Sequence, residues 1–256
     1  MPYLKMPFAE PTLIIDGDLF LYRATTSVEE ETQWSENIWS LATDIDAAKR
    51  VFNNMIENFK SQLMVDKVVL TFTGTKNFRR SVEETYKTQR KKTRKPVGYA
   101  ALLDWCAEEY EAITIDCLEA DDIMGIICSM PGTKAICVSD DKDMMGIPGK
   151  LYRPQGNERM DITLEEADAF FLKQALMGDM TDGYAGLKGC GPKSAEKILG
   201  ARPTWEAVVK AYADQDFSEE YALTQARLAR ILRADDWDDE KQEPILWDPR
   251  KWVRGV

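Results

Sequence analysis

The chain has 256 residues, 44% of them apolar, enough to build the core of one large domain or two modest ones; a disordered or fibrous protein is excluded. Its 33 Lys and Arg against 44 Asp and Glu give a formal net charge of −11, so a polyanion must be held by a local patch rather than by the overall field. Histidine is absent, which excludes Ser-His-Asp and Cys-His nucleophile pairs, His-ligated zinc and imidazole bases, and leaves carboxylates, amines, hydroxyls or metal ions to carry any catalysis.

Thr12 to Ile15 is an apolar β-type run that stops at Asp16-Gly17-Asp18 and feeds an amphipathic stretch, Leu19 to Ala24. Asp44 to Met64 repeats apolar residues at helical spacing, and Val68 to Phe72 reads as a second buried strand. A basic segment follows: between Lys76 and Lys95, nine Lys and Arg face only Glu83 and Glu84. Such a segment can grip phosphates although the rest of the chain is strongly acidic; it also suits a solvated loop. Tyr99 to Tyr110 predicts a helix, Ala112 to Ile115 a short strand, Ala120 to Met130 a helix and Lys134 to Val138 a strand. This alternation predicts an α/β fold with a mainly parallel central sheet flanked by helices, whose ligands gather beyond the carboxyl ends of the strands.

After Asp161 the pattern is helical. Thr163-x-x-Glu166 is a capping box opening a helix through Met177, and Gly186-x-x-Gly189-x-Gly191-Pro192-Lys193 is a glycine turn leading into Ser194 to Leu199. Further helices are expected near Trp205 to Tyr212 and Glu219 to Leu232. The predicted organisation is an α/β core over 1–160 with the basic segment at 76–96. A helical region follows over 161–235 with its glycine turn at 182–200, then an acidic, Trp-containing tail over 236–256.

Cys106, Cys117, Cys128, Cys137 and Cys190 are odd in number and never spaced C-x-x-C, which argues against a disulfide framework and a thiolate zinc site. Without a membrane-length apolar stretch or a signal-like N-terminus, the expectation is a soluble cytoplasmic protein without membrane association.

The acids carry the chemistry. Asp16 and Asp18 follow the first strand, Glu119, Asp121 and Asp122 open a helix, Asp140, Asp141 and Asp143 follow a later strand, and Asp179 and Asp182 precede the glycine turn. Each group alone suits ordinary turn and cap chemistry. Converged at one sheet edge they would repel strongly unless cations were bound, and oxygen ligands select Mg²⁺ or Mn²⁺. A site of two such ions suits phosphodiester hydrolysis. In the basic segment, Tyr86-Lys87-x-x-Arg90 sets an aromatic beside two cations, as in holds on unpaired nucleic acid; if helical, Lys87 and Arg90 share a face.

In order along the chain, Ile15-Asp16-Gly17 with Tyr22-Arg23, Asn77-Phe78-Arg79, Tyr86-Lys87-x-x-Arg90, Glu119-Ala120-Asp121-Asp122, Ser139-x-Asp141-Lys142-Asp143 and Gly178-Asp179-x-x-Asp182 through Lys193 resemble the flap endonuclease and 5′ to 3′ exonuclease family, most like its stand-alone phage members. The resemblance implies a PIN-like fold with a helical arch and a helix-hairpin-helix-like motif. It implies two or more divalent ions on Asp16, Glu119, Asp121, Asp122, Asp141, Asp143 and Asp182, with Asp179 a weaker candidate. Lys87 and Arg90, with Asp16, Asp121 and Asp141, would serve catalysis. Tyr86, Lys87, Arg90, Lys91 and Arg79 would contact nucleic acid in the arch, and Gly189, Gly191 and Lys193 would hold the duplex backbone, with K⁺ at that turn.

The implied activity is metal-dependent 5′ to 3′ exonuclease or 5′ flap endonuclease cleavage near the 5′ end of duplex or junction DNA. RNA primers in RNA/DNA hybrids, removed during phage replication, are a further implied substrate, and the chain would act as a monomer. The alternative is a catalytically silent nucleic-acid-binding protein on the same scaffold. One departure stands out: where the family places a metal-binding Asp after Phe72, this chain has Thr73, with Asp18 the available extra acid.

Overall fold

A computed structural model describes residues 4–89 and 94–252. β1 (Thr12–Asp16) is buried along its whole length, as a central strand covered on both faces requires, and runs without a break into α1 (Gly17–Ser27). Asp16 caps that helix, accepting from the Leu19 N–H at 3.0 Å. Gly17 is needed for close approach: a Cβ there would sit 2.4 Å from the Phe72 ring.

The chain continues through an antiparallel hairpin, β2 (Glu29–Ser35) and β3 (Ile38–Thr43), for which the sequence reading predicts no element. Its strands are largely exposed, and its Glu-rich first strand offers no buried apolar face to signal it. Then come α2 (Ile45–Leu63), β4 (Lys67–Thr73), α3 (Arg79–Val82), α4 (Tyr99–Glu109), β5 (Ala112–Ile115), α5 (Ala120–Cys128) and β6 (Ala135–Val138), followed by β7 (Gly149–Arg153) and β8 (Glu158–Ile162).

The main sheet has the order β5-β4-β1-β6-β7-β8, parallel except for β7 against β8. Alternation along the strands sorts side chains into two cores. Leu13, Ile15, Leu70 and Phe72 pack with Phe52 and Ile56 on one face. Ile14, Val69 and Cys137 pack with Ile123, Ile126 and Ile127 on the other. Strand order reverses between β1 and β6, so the segments that follow these two strands, the start of α1 and the loop after β6, flank a switch-point crevice, and both are acidic.

α6 (Leu164–Met177) opens with the predicted Thr163–Glu166 capping box and is followed by α7 (Pro192–Leu199), α8 (Trp205–Ala213) and α9 (Glu219–Ala229). These helices enclose a separate core of Phe171, Leu176, Trp205, Val208 and Tyr212, onto which Trp247 of the C-terminal segment docks. Two short strands, β9 (Trp237–Asp238) and β10 (Glu243–Pro244), pair antiparallel in that segment. All five cysteines are free, and no described helix is long and apolar enough to cross a membrane.

The basic segment departs from a continuous helix. The four residues of α3 give way to turns, and Lys87 lies in the left-handed region at φ 54°, which interrupts the spacing that would align Lys87 with Arg90. The Lys87 N–H is drawn instead to the Asp182 carbonyl at 2.8 Å. Arg90 and Lys91 lie outside the described residues.

Candidate active site

Asp16, from β1, and Asp141, from the loop after β6, meet at the crevice through Ser139. The Ser139 hydroxyl donates to Asp16 Oδ2 at 2.9 Å and accepts from the Asp141 N–H at 3.1 Å. Burial pushes the Asp16 carboxyl up to about 6; bonds from Leu19 and Ser139 oppose this, while Asp18 and Asp141 add to it. Asp121, in the first turn of α5, is raised well above the usual carboxylate range by burial and then by Asp16 and Asp141, with Lys87 opposing. Asp143 is pushed up to about 6 by burial and Asp141, against Lys142, with Asp179 and Asp182 contributing. These acids therefore share one electrostatic neighbourhood, in which each additional negative charge is costly.

An all-oxygen donor set of this charge fits hard divalent cations. Among the described residues no three acids are gathered into a closed metal cage. Two of the predicted ligands explain part of that spacing. Asp122, 0% exposed, forms a two-point ion pair with Arg79 (both N···O 2.7 Å) and accepts from the Leu232 N–H at 3.1 Å. Glu119 is bound by Lys87, Arg79 and Tyr86. Burial alone would raise the Glu119 carboxyl, but Lys87 and Arg79 outweigh it and hold it at about 2. Lys87 also reaches Asp182 at 3.4 Å, so this one ammonium links two acidic loops.

The structure assigns Arg79, Asp122 and Tyr86 positions different from those the sequence suggests. Arg79 is 2% exposed and also donates to the carbonyls of Leu228 and Arg230, so it clamps the end of α9 to α5 rather than facing nucleic acid. Tyr86 is 2% exposed, its hydroxyl donating to Glu119 at 3.1 Å, and its ring offers no stacking surface. In both cases an internal acid attracts a polar group that the motif places on the outside. Tyr22, 43% exposed, faces the cleft instead. Its signal in the sequence is its place on α1, off the buried stripe of Phe20, Leu21 and Ala24.

Thr73 does not stand in for a carboxylate. Its hydroxyl accepts from the Ala120 N–H at 3.1 Å, tying β4 to the start of α5, and its own N–H donates to Asp18 Oδ2 at 2.9 Å. Tyr99 completes the bracing of Asp18, donating to Oδ1 at 2.6 Å. The cleft has a volume of about 710 Å³ and combines Asp16, Asp121 and Asp141 on its floor with Lys76, Arg80 and Lys95 on its walls. Gly189, Gly191 and Lys193 lie apart from it on an exposed turn; Gly189 has φ 73°, and Gly191 caps α7 without a side chain, leaving backbone N–H groups open to an anion.

Residues 11–165 match the family described as the 5′-3′ exonuclease, N-terminal resolvase-like domain. The chain is 31% identical to the exodeoxyribonuclease of Enterobacteria phage T3 and to the exonuclease of Escherichia phage T7, in each case across 93% of this chain and 93% of the relative. Its fold is also that of a bacteriophage T5 flap endonuclease solved in complex with DNA and metal ions. That match has a TM-score of 0.60 at 15% identity and covers 85% of this chain and 88% of the other. A T5 5′-exonuclease structure with bound zinc matches with a TM-score of 0.59 at 16% identity, over the same shares of the two chains.

Proposed function

The chain belongs to the 5′-3′ exonuclease family, and on that premise we propose that it hydrolyses phosphodiesters near the 5′ end of duplex or junction DNA with divalent ions held by Asp16, Asp121 and Asp141. The observation that carries this reading is the meeting of these three acids in one cleft with Lys76, Arg80, Lys87 and Lys95, where burial, reinforced by the Asp141 charge, raises the proton affinity of Asp16 and Asp121. Divalent ions bound there would supply Lewis acidity, lowering the pKa of an attacking water and offsetting charge on the phosphate.

The chain's own residues do the rest. Lys76, Arg80 and Lys95 draw the phosphate backbone into the cleft, and Tyr22 offers a ring face to an unpaired base. Lys87, poised against Glu119 and Asp182, stands at the cleft wall where its ammonium can turn to a phosphate oxygen and stabilise the charge that builds there. Asp143 and Asp182, beside Asp179, form a second acidic group for a further ion. The exposed turn at Gly189, Gly191 and Lys193 holds the duplex backbone away from the cut.

The test uses a 5′-labelled duplex and a matched 5′-flap junction, each in Mg²⁺ and in EDTA. Short labelled products in Mg²⁺ alone are expected. Asp121→Asn and Asp141→Asn should each abolish them while binding the junction in EDTA within a few fold of the parent. No product in either Mg²⁺ or Mn²⁺ would reduce the protein to a nucleic-acid binder. Replacing the 5′ strand by RNA asks whether primers are also substrates.

A further inference from the structure

Gln174 sits on the last turn of α6 and is 3% exposed. It falls among the buried positions of that helix, beside Phe171 and Ala175, where packing alone would favour an apolar side chain. A buried amide is costly unless its polar atoms are used. Its use is visible: Nε2 donates to Asp143 Oδ1 at 2.7 Å.

Two further features surround this contact. The main-chain carbonyl of Gln174 accepts from the Gly178 N–H at 2.9 Å, which ties the end of α6 to the start of the loop that carries Asp179 and Asp182. Gln174, Asp143 and Arg230 also line a cavity of about 10 Å³, room for about one water molecule. Among the described residues, Gln174 Oε1 and Arg230 Nη1 are an acceptor and a donor that find no partner, and Arg230 is anchored by Asp236.

We propose that Gln174 is a positioning residue for the second cation site, orienting Asp143 while α6 indexes Asp179 and Asp182 to the same point. This rests on the ion-binding reading of these acids given above. The amide suits the task because it is neutral: it fixes the Asp143 carboxylate without cancelling its charge, whereas Lys87 and Arg79 neutralise Glu119.

Mn²⁺ titration calorimetry on the intact protein tests it, comparing the parent with Gln174→Met, Asp143→Asn and the double variant, and with urea unfolding in EDTA as the control for folding. Met keeps the length of the side chain and removes the amide. Loss of an outer hydrogen bond of this kind lowers metal affinity about 10-fold. That loss is expected for one class of ion in Gln174→Met, at least as large a loss in Asp143→Asn, and no further loss in the double variant. Unchanged Mn²⁺ affinity in Gln174→Met beside a weakened Asp143→Asn overturns the role of Gln174 alone, as do losses that add independently in the double variant. Unchanged affinity in both single variants overturns the ion-site reading and this proposal together. If Gln174→Met does not fold, Gln174→Glu reads the same contact. A second carboxylate against Asp143 should lower the urea midpoint in EDTA and increase Mn²⁺ affinity, and the absence of both effects overturns the assignment.

Discussion

The Ser139 hydroxyl donates to Asp16 across the switch point of the sheet at 2.9 Å, so the carboxyl ends of β1 and β6 are tied by this side chain. This bond lowers the proton affinity that burial raises at Asp16. Ser139→Ala should therefore push the Asp16 carboxyl higher still and move the acid limb of the Mg²⁺-dependent cleavage profile to higher pH. Stability should fall by about 1 kcal/mol, the net worth of one buried hydrogen bond. A pH–rate profile that does not move would show that ionisation of Asp16 does not gate the reaction.

Asp16 also sets a stability window. Its folded value of about 6 lies above the roughly 3.9 of an unfolded Asp, so between about pH 4 and pH 6 the native state holds a proton that the unfolded chain releases. Without divalent ions, stability contributed by this group is present at low pH and is lost as pH rises through 6. Asp16→Asn should consequently stabilise the protein in EDTA at pH 8, by about 3 kcal/mol at most, and change little at pH 4. Added Mg²⁺ should raise the melting temperature of the parent at pH 8 and raise that of Asp16→Asn much less. Calorimetric melts across this pH range check both signs.

The Arg79–Asp122 pair makes an opposite kind of prediction. Both partners are buried and doubly bonded, so Arg79→Ala strands a carboxylate in the interior and should cost about 3–5 kcal/mol in urea unfolding. Replacing the two together, Arg79→Met with Asp122→Leu, should recover much of that loss. In junction-DNA binding, Arg79→Met/Asp122→Leu should keep the salt dependence of the parent. A slope lower by about one would instead mark Arg79 as a phosphate contact.

Much of the core was legible because local signals agreed with the tertiary fold. The run Thr12 to Ile15, the helical spacing over Asp44 to Met64 and the Thr163–Glu166 box each state one structure, and the structure contains it. Acids at strand ends were legible for the same reason: the parallel sheet brings them to one edge. Illegible were features set by pairwise attraction across the fold. A motif cannot show that Arg79 turns inward to Asp122, that Lys87 leaves the helical region of backbone space for Asp182, or that Gln174 is buried for Asp143. The hairpin of β2 and β3 escaped because its exposed strands carry no alternation of buried and open positions.

Two tyrosines separate stacking from support. Tyr22 presents an exposed ring to the cleft, whereas the buried Tyr86 ring lies under the Lys87 ammonium, 5.2 Å from its centroid. Tyr22→Ala should weaken binding to a junction with an unpaired 5′ strand by about 1–3 kcal/mol, the range for one base–aromatic stack, and should affect blunt duplex less. Tyr86→Phe keeps the ring and removes the bond to Glu119, so it should leave junction affinity near that of the parent. Lys87→Ala completes the set, because loss of its ammonium should slow single-turnover cleavage by far more than it weakens binding. Fluorescence anisotropy with flap and blunt substrates, beside single-turnover rates, distinguishes the three. Equal loss of binding in Tyr22→Ala and Tyr86→Phe would mean that the Tyr86 hydroxyl, through its bond to Glu119, is needed to hold the junction, and would overturn the division between the two tyrosines.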